Sequence, residues 1–510
     1  MKKRKLAALF MACAIAVSVF AGCGSSKSVS GSSQKKDVTL GLAQLAFYNV
    51  WDPHTDWNGW YSVRYGVTET LFKLSENLEI TPWLAEGYKN IDNSTWKITL
   101  KKDVKFSNGN EVTPEMVVRN FKRVAEKNDR AVSLKGATYE ISGNDITIKT
   151  AKPYATFIND LTDPYASIID LDAKEDVTVN PIGTGPLKIV ELVKDKQISL
   201  TKNANYWDGT VKIDNLLIKI IPDMDTLLMS LQSGEVDIAY DLSKAAVETL
   251  KSDSNFEIKT TENVRPYIVY MNNTTLTDAN VRKAVAMAVD KKSICSNLLG
   301  TSTTYGEGPF SDKLPYGSSK LNAAGYDQNG AKAALAAAGY TDTDSDGYVD
   351  KNGKKLTIRL MLYSRLQQET IATEMQAELK SAGIDCQVKV NDNRNYLKAG
   401  DFDLGMYTVA TAPTGDSEAF FKGYVATGAP YNYGKYSNKE ADKLIASLQT
   451  EFSPDKRTET AIKIQQMMLD DSGYMFMGMV NMSMVQKKTL TGFVNSTCEY
   501  YYVTKDVDVK

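Results

Sequence analysis

A chain of 510 residues is too long for one ordinary domain and suggests two or three. Its 43% hydrophobic and 24% charged content is that of a globular protein, and 60 basic against 62 acidic residues exclude a nucleic-acid binder driven by bulk charge. One histidine, five cysteines without a CxxC pair, and the absence of GxSxG and HExxH leave zinc ribbons, dithiol redox motifs, zincins and nucleophile elbows unsupported.

The chain opens with Met1-Lys2-Lys3-Arg4-Lys5, then an apolar run from Leu6 to Phe20, then Ala21-Gly22-Cys23. A basic start, a short apolar run and small residues at the cut site describe a secretory leader, too short for a comfortable membrane span. The segment resembles a bacterial lipoprotein signal, which implies lipidation of Cys23 and a mature protein tethered by acyl chains to the outer face of the cell membrane. Residues 23–36, rich in Ser, Gly and Lys, have nothing to bury and suit a flexible tether on a Gram-positive surface.

Val38 to Leu45 alternates as a strand leading into an aromatic loop, Phe47 to Trp60. Val63 to Leu74 is predicted as a helix and Trp96 to Leu100 as a strand. Thr113-Pro114-Glu115 is a helix start: a threonine cap, proline at the first helical position and an acid in the first turn. Tyr139 to Thr150 reads as a hairpin turning at Ser142-Gly143-Asn144. Strands follow at Gln197–Thr201, Ile213–Ile221 and Val236–Ala239, with a helix over Thr226–Gln232 ending near Gly234. Asp278 caps a helix to Val289, and Gly330 to Ala338 is helical up to Gly339. Strands at Leu356–Leu362, Ile384–Val390 and Phe402–Val409 alternate with helices at Gln367–Ala382, Asn438–Leu448 and Lys456–Asp470. This is an α/β chain without internal repeats. His54, in WDPHTDW, is expected in a loop with no chemical role, and Cys295, Cys386 and Cys498 as buried thiols, with one disulfide among them left open.

Six blocks, in order along the chain, resemble the extracellular solute-binding proteins of peptide/nickel ABC importers (solute-binding family 5). They are VKFSNGNEVTPEMVVRNFKR (104–123), PIGTGPL (181–187), NANYWDG (203–209), LQSGEVDIA (231–239), NVRKAVAMAVDKKSI within 272–294, and Tyr436-Ser437-Asn438 with Ala441-Asp442. Gly183 and Gly185 suit turn geometry, and Asp237 and Asp290 suit capping or pairing. The resemblance implies a two-lobed periplasmic-binding-protein-like fold of type II. Lobe I would be discontinuous (37–62, 183–268 and 483–510), an extra subdomain would span 63–182, and lobe II 269–482. It implies a monomeric, non-enzymatic binding protein that closes on its ligand and delivers it to separate membrane permease chains.

Family ligand contacts come from the loop after the first strand and the loop after the Phe402–Val409 strand. That points to Tyr48, Trp51 and Trp57 in the first, and to Tyr407, Thr411 and Asp416 in the second, where Asp416 also suits a helix cap. Dipeptide binders hold the ligand's amine with an Asp where this chain has Pro413, and proline supplies no carboxylate. Arg130 is a candidate for ligand carboxylates, and Tyr431-Asn432-Tyr433 a candidate cleft wall. A short peptide is the leading cargo and a nickel or other transition-metal chelate the alternative; a single histidine is poorly suited to ligating nickel directly. No cofactor is required. Asp342, Asp344, Asp346 and Asp350 follow the start of a calcium loop, but Gly353 stands where the bidentate Glu belongs. A secreted hydrolase is the rival class and lacks an identifiable nucleophile–base pair.

Overall fold

The structure, a computed structural model, describes residues 35–43, 49–240 and 242–510. Cys23 and Tyr48 lie outside the described residues. Lys36–Lys510 forms one compact unit, and among the described residues no helix is long and apolar enough to cross a membrane.

Its spine is an eleven-stranded sheet. In chain order the strands are β1 (Asp37–Leu42), β2 (Leu187–Val193), β3 (Gln197–Lys202), β4 (Asn215–Ile220), β5 (Ile238–Tyr240), β6 (Phe256–Met271), β7 (Thr303–Thr304), β8 (Thr357–Tyr363), β9 (Asp385–Asn391), β10 (Leu404–Thr408) and β11 (Tyr474–Lys487). The spatial order is β9-β8-β10-β6-β11-β5-β1-β4-β3-β2, with β7 beside β11. Each end of the sheet has a parallel core: β1 runs parallel to β4 and β5, and β8 parallel to β9 and β10. Parallel strands covered on both faces tend towards near-continuous apolar runs. Accordingly Val38, Leu40 and Leu42 on β1 and Leu360, Met361 and Leu362 on β8 are buried.

Two long antiparallel strands join the ends. β6 pairs with β11 from Phe256 to Tyr270, with β10 only through Tyr267–Met271, and β11 reaches β5 through Met484–Gln486. The register slips between Glu262 and Ile268, around Pro266. Proline has no N–H for the ladder, so a bulge is the place for it.

A separate four-stranded antiparallel sheet takes its strands in the order Ala85–Asp92, Thr95–Leu100, Asp145–Lys149, Thr138–Ser142. The helix Pro114–Lys127 begins as its sequence predicts, with Thr113 accepting from the Met116 N–H. Its buried face, Val117, Phe121 and Val124, shares a core with Ile98, Ile146 and Ile148; each such side chain contributes about 1.5–3 kcal/mol by burial.

The motif blocks prove to be joints. A Cβ at Gly183 would collide with the Val67 carbonyl oxygen, and one at Gly185 with that of Gly66, so both positions need the smallest residue for close approach. Asn203 donates to the Gly185 oxygen at 2.8 Å. Tyr206 Oη, Trp207 Nε1 and Thr184 Oγ1 all donate to the buried Glu69 carboxylate, at 2.9, 2.7 and 2.8 Å. Asp237 accepts from the Thr39 N–H and pairs with Lys487, and Asp290 caps Ser293.

One element differs from the sequence reading. The helix expected over Val63–Leu74 is instead a short one, Gly59–Arg64, followed by a turn and the strand Phe72–Leu74. Gly66, at φ +71°, ends the helix, and the β-branched run Val67-Thr68 prefers the extended chain that follows. The three described cysteines are free and buried, so the disulfide left open does not form.

Candidate functional site

The carboxyl ends of β1 and β5 from one half of the sheet, and of β8 from the other, meet over the crossing strands β6 and β11. A change of strand order in an open α/β sheet creates a crevice at strand carboxyl ends. A groove of about 920 Å³ lies there, floored by Tyr267, Val480 and Met482 and walled by Lys244 on one side and Tyr363 and Arg365 on the other.

At the bulge, Arg265 is buried and bidentate to Glu499: Nε to Oε1 at 2.8 Å and Nη2 to Oε2 at 2.9 Å. Asn263 donates to the same carboxylate at 3.2 Å, and Arg64 lies 3.7 Å from it. Burial opposes the charge on Glu499, but Arg265 and Arg64 outweigh it and hold its carboxyl below the ordinary range. Glu499 therefore pins the C-terminal segment, through backbone at φ +65°, to the point where the strands cross.

Beyond this lock the wall is tyrosine and arginine. Arg394 donates to Tyr407 Oη at 2.6 Å, and Arg365 to Tyr363 Oη at 3.1 Å. The Tyr407 ring meets Tyr433 edge-on at 6.3 Å, and Tyr431 sits 4.9 Å from Tyr424. Among the described residues neither Arg365 nor Arg394 has a carboxylate in ion-pair range, whereas Arg64, Arg130, Arg265 and Arg457 each have one. Burial opposes the Arg394 charge, yet the Tyr407 hydroxyl beside it favours the guanidinium and raises its pKa. The carboxylates nearby are engaged: Glu499 by Arg265, Asp416 by Arg457, and Glu248 on the groove rim by Lys251. The cations left over suit an anionic ligand.

Apart from the groove lining, the Arg130 guanidinium stacks 3.6 Å from the Trp57 ring centroid and pairs with Asp163. Trp57 meets Trp60 at 5.3 Å, and Trp60 meets Tyr500 at 5.0 Å. Trp60 Nε1 and Tyr500 Oη are buried without a hydrogen-bond partner among the described residues.

The pattern described as "Bacterial extracellular solute-binding proteins, family 5 Middle" matches residues 79–432. The chain belongs to this family. It is 30% identical over 454 residues to the nickel-binding protein NikA of Staphylococcus aureus, spanning 88% of this chain and 87% of that protein. It is 28% identical over 536 residues to the oligopeptide-binding protein AppA of Bacillus subtilis, spanning 97% of each. The crystal structure of Staphylococcus aureus NikA in complex with Ni(L-His)2 superposes with a TM-score of 0.79 at 25% identity, covering 93% of this chain and all of that one. The neighbours are two-lobed family 5 binding proteins, so the expected two-lobed α/β fold is borne out.

Within this family 5 frame the predicted residues fall into two groups. Tyr407, Tyr431 and Tyr433 do converge, as one aromatic wall with Arg394. Arg130 and Trp57 meet each other, outside the groove lining. The remaining described ones serve the scaffold. Trp51 is fully buried, 6.3 Å from Tyr65 in the core beneath β1. Thr411 donates to the Val264 and Pro309 oxygens, at 3.1 and 2.6 Å. Asn432 donates to the Val425, Ala426 and Tyr436 oxygens. Asp416 receives the Glu418 N–H at the start of a short helix and pairs with Arg457.

His54 is no idle loop residue. It is wholly buried, with Nε2 against the Ser167 oxygen at 2.8 Å and Nδ1 facing Arg123, which also grips Asp52. Burial pushes its pKa down to about 4, so it stays neutral. Asp342, Asp344 and Asp346 bring carboxylate oxygens within 4.8 Å, but the loop uses them itself. They accept from the N–H groups of Gly347, Asp346 and Tyr348, and Asp350 accepts from Thr343. The segment is an Asp/Gly turn, and calcium finds no support in it.

Sequence reading missed Arg365, Arg394 and Tyr363. In YSRL and NDNRNY they look like solvated loop residues. Arg365 follows β8 and Arg394 follows β9, and only the pairing of β8 with both β9 and β10, a tertiary fact, gathers them beside Tyr363 and Tyr407.

Proposed function

We propose that this chain is the substrate-binding lipoprotein of an ABC importer, anchored through Cys23 on the outer face of the membrane, and that its cargo is an anionic transition-metal chelate. Lobes with the boundaries expected from the sequence would close on the cargo and present it to the permease, with no covalent chemistry. The carrying observation is Arg365 in the groove wall, a cation with a tyrosine partner and no carboxylate partner among the described residues, together with Arg394, likewise without a carboxylate, on the Tyr407 hydroxyl of the aromatic wall. A peptide needs an anion for its ammonium group, and the crevice carboxylates are already paired. The sole histidine is buried, so the metal would arrive in its own organic shell, whose carboxylates the arginines would hold bidentately. The 30% identity to a nickel-binding protein agrees.

A short peptide is the second reading, favoured by the groove of about 920 Å³ beside the arginines and by the likeness to AppA. The test is tryptophan fluorescence of the mature protein titrated with the anionic nickel–citrate complex, nickel alone and trialanine. The chelate reading expects a saturable change with the complex only, weakened about 10–100-fold by Arg394→Ala, the range for a lost charge-assisted hydrogen bond. A response to trialanine and not to the complex would transfer the assignment to peptides. Silence with all three would reject both cargo readings.

A further inference from the structure

The groove runs between two packed cores. On one wall the helix Lys244–Leu250 lays Ala246, Val247 and Leu250 into a core with Val236 and with Ala239 of β5. Facing it, a π-helical turn over Ile294–Leu299 lays Ile294 and Leu299 into a different core, with Leu360 and Leu362 of β8 and Met406 of β10. A lysine spans the gap between them: Lys244, which lines the groove, donates from Nζ to the Leu298 carbonyl oxygen at 2.9 Å.

The charge on that lysine is not neutralised locally. Its bonded partner is an uncharged carbonyl, and among the described residues no carboxylate lies in ion-pair range of it. Glu248 also lines the groove and stands four residues further along the same helix, a spacing that puts two side chains on one face. It pairs instead with Lys251, at 2.6 Å. Lysine at the first position of a helix also sits where the positive end of the backbone favours an acid, so the charge is not there to stabilise the helix. Lys244 is half-buried, as is Arg365 on the wall formed by the end of β8. Two cations thus line one groove from different cores, and neither has a carboxylate among the described residues.

We propose that Lys244 is the second anion-binding residue of this groove, and that the cargo carries two separated anionic groups, one for Arg365 and one for Lys244. The inference rests on the reading above that the groove is the cargo site. A carboxylate beside Lys244 forms a charge-assisted hydrogen bond, about twice as strong as one between uncharged groups. A cargo with a single anionic group satisfies one wall and leaves the other cation bare. A doubly anionic cargo satisfies both and ties the two cores together, so the charge that selects it also favours closure around it. This holds whether or not a metal sits between the two groups.

Titration calorimetry of the mature protein at low ionic strength tests the second contact without any metal. The ligands are linear dicarboxylates from succinate to suberate, each beside the monocarboxylate of equal chain length. The wild type should bind its best dicarboxylate about tenfold or more tighter than the matching monocarboxylate, the range for a hydrogen bond to a charged group. Lys244→Gln, which retains a donor and removes the charge, should erase that preference and leave the monocarboxylate affinity unchanged. Lys244→Arg should retain the preference. No preference at any length in the wild type would overturn the inference, as would a preference that survives Lys244→Gln. An equal loss for both ligands in Lys244→Gln would overturn it too, since a purely structural role predicts that. Nickel–citrate bound equally by wild type and Lys244→Gln would leave the chelate reading standing and remove Lys244 from it. Lys244-dependent dicarboxylate binding without nickel–citrate binding would do the reverse.

Discussion

Replacing Arg265 by methionine tests how firmly the crossing point is locked. Methionine keeps much of the stem's volume and removes the charge, leaving Glu499 buried with only Asn263 at 3.2 Å and Arg64 at 3.7 Å. Two hydrogen bonds of 2.8 and 2.9 Å are lost with the arginine. Breaking a buried pair from one side costs about 3–5 kcal/mol, because the surviving charge is stranded. Removing the charge from both sides, as in Arg265→Met/Glu499→Gln, leaves only the more distant Arg64 without its carboxylate, so the double variant should lie about 1–3 kcal/mol above the sum of the singles. Urea unfolding of the four proteins, followed by tryptophan fluorescence at pH 7, completes the cycle. The pH dependence is a second check. Glu499 has a depressed pKa, so its stabilisation is present above the ordinary value of 4.5 and drains away as pH falls below it. The double variant should lose that acid-side slope. Single variants each costing under about 1 kcal/mol, or costs that simply add, would refute the lock.

Three further outcomes follow from the same geometry. Glu69, whose carboxyl burial pushes up to about 7 against three donated hydrogen bonds, should make the wild type lose about 3 kcal/mol as pH rises from 4.5 to 7 and little beyond; in urea melts Glu69→Gln should show a shallower slope across that interval. Gly183→Ala must push the Val67 carbonyl aside and should cost about 1–3 kcal/mol in the same melts, whereas Gly143→Ala, at a hairpin tip with open space around it, should cost about 1 kcal/mol through its φ of +59°. Cys295 and Cys386, their thiols pushed up to about 12 by burial, should resist a thiol reagent at pH 8 until urea exposes them; rapid native labelling of either would contradict their packing.

Elements marked by their own chemistry were readable in the sequence. Thr113-Pro114, Asp278 and Asn438 fix helix starts whatever surrounds them, and Gly234 and Gly339 fix helix ends through left-handed backbone. Val63–Leu74 was misread because an apolar run with a glycine inside it has two periods to choose from, and tertiary contacts chose the extended one. The site was legible on one side. Tyr407, Tyr431 and Tyr433 announce themselves as aromatics near a strand end, but Arg365 and Arg394 acquire meaning only from strands far apart in sequence. Trp51 shows the reverse error, since an aromatic in a predicted cleft loop is as ready to fill a core as to face a ligand.

The long ladder between β6 and β11 also dictates an order of assembly. Strand β6 is complete at Met271, but its partner over most of its length begins at Tyr474, some two hundred residues later in synthesis. Until then β5 and β6 both present unpaired edges, and neither half of the sheet can finish alone. A chain cut before Tyr474 would therefore not leave one intact half. It would leave two unfinished sheets with adhesive borders, which makes the last forty residues the piece whose arrival turns two partial folds into one protein.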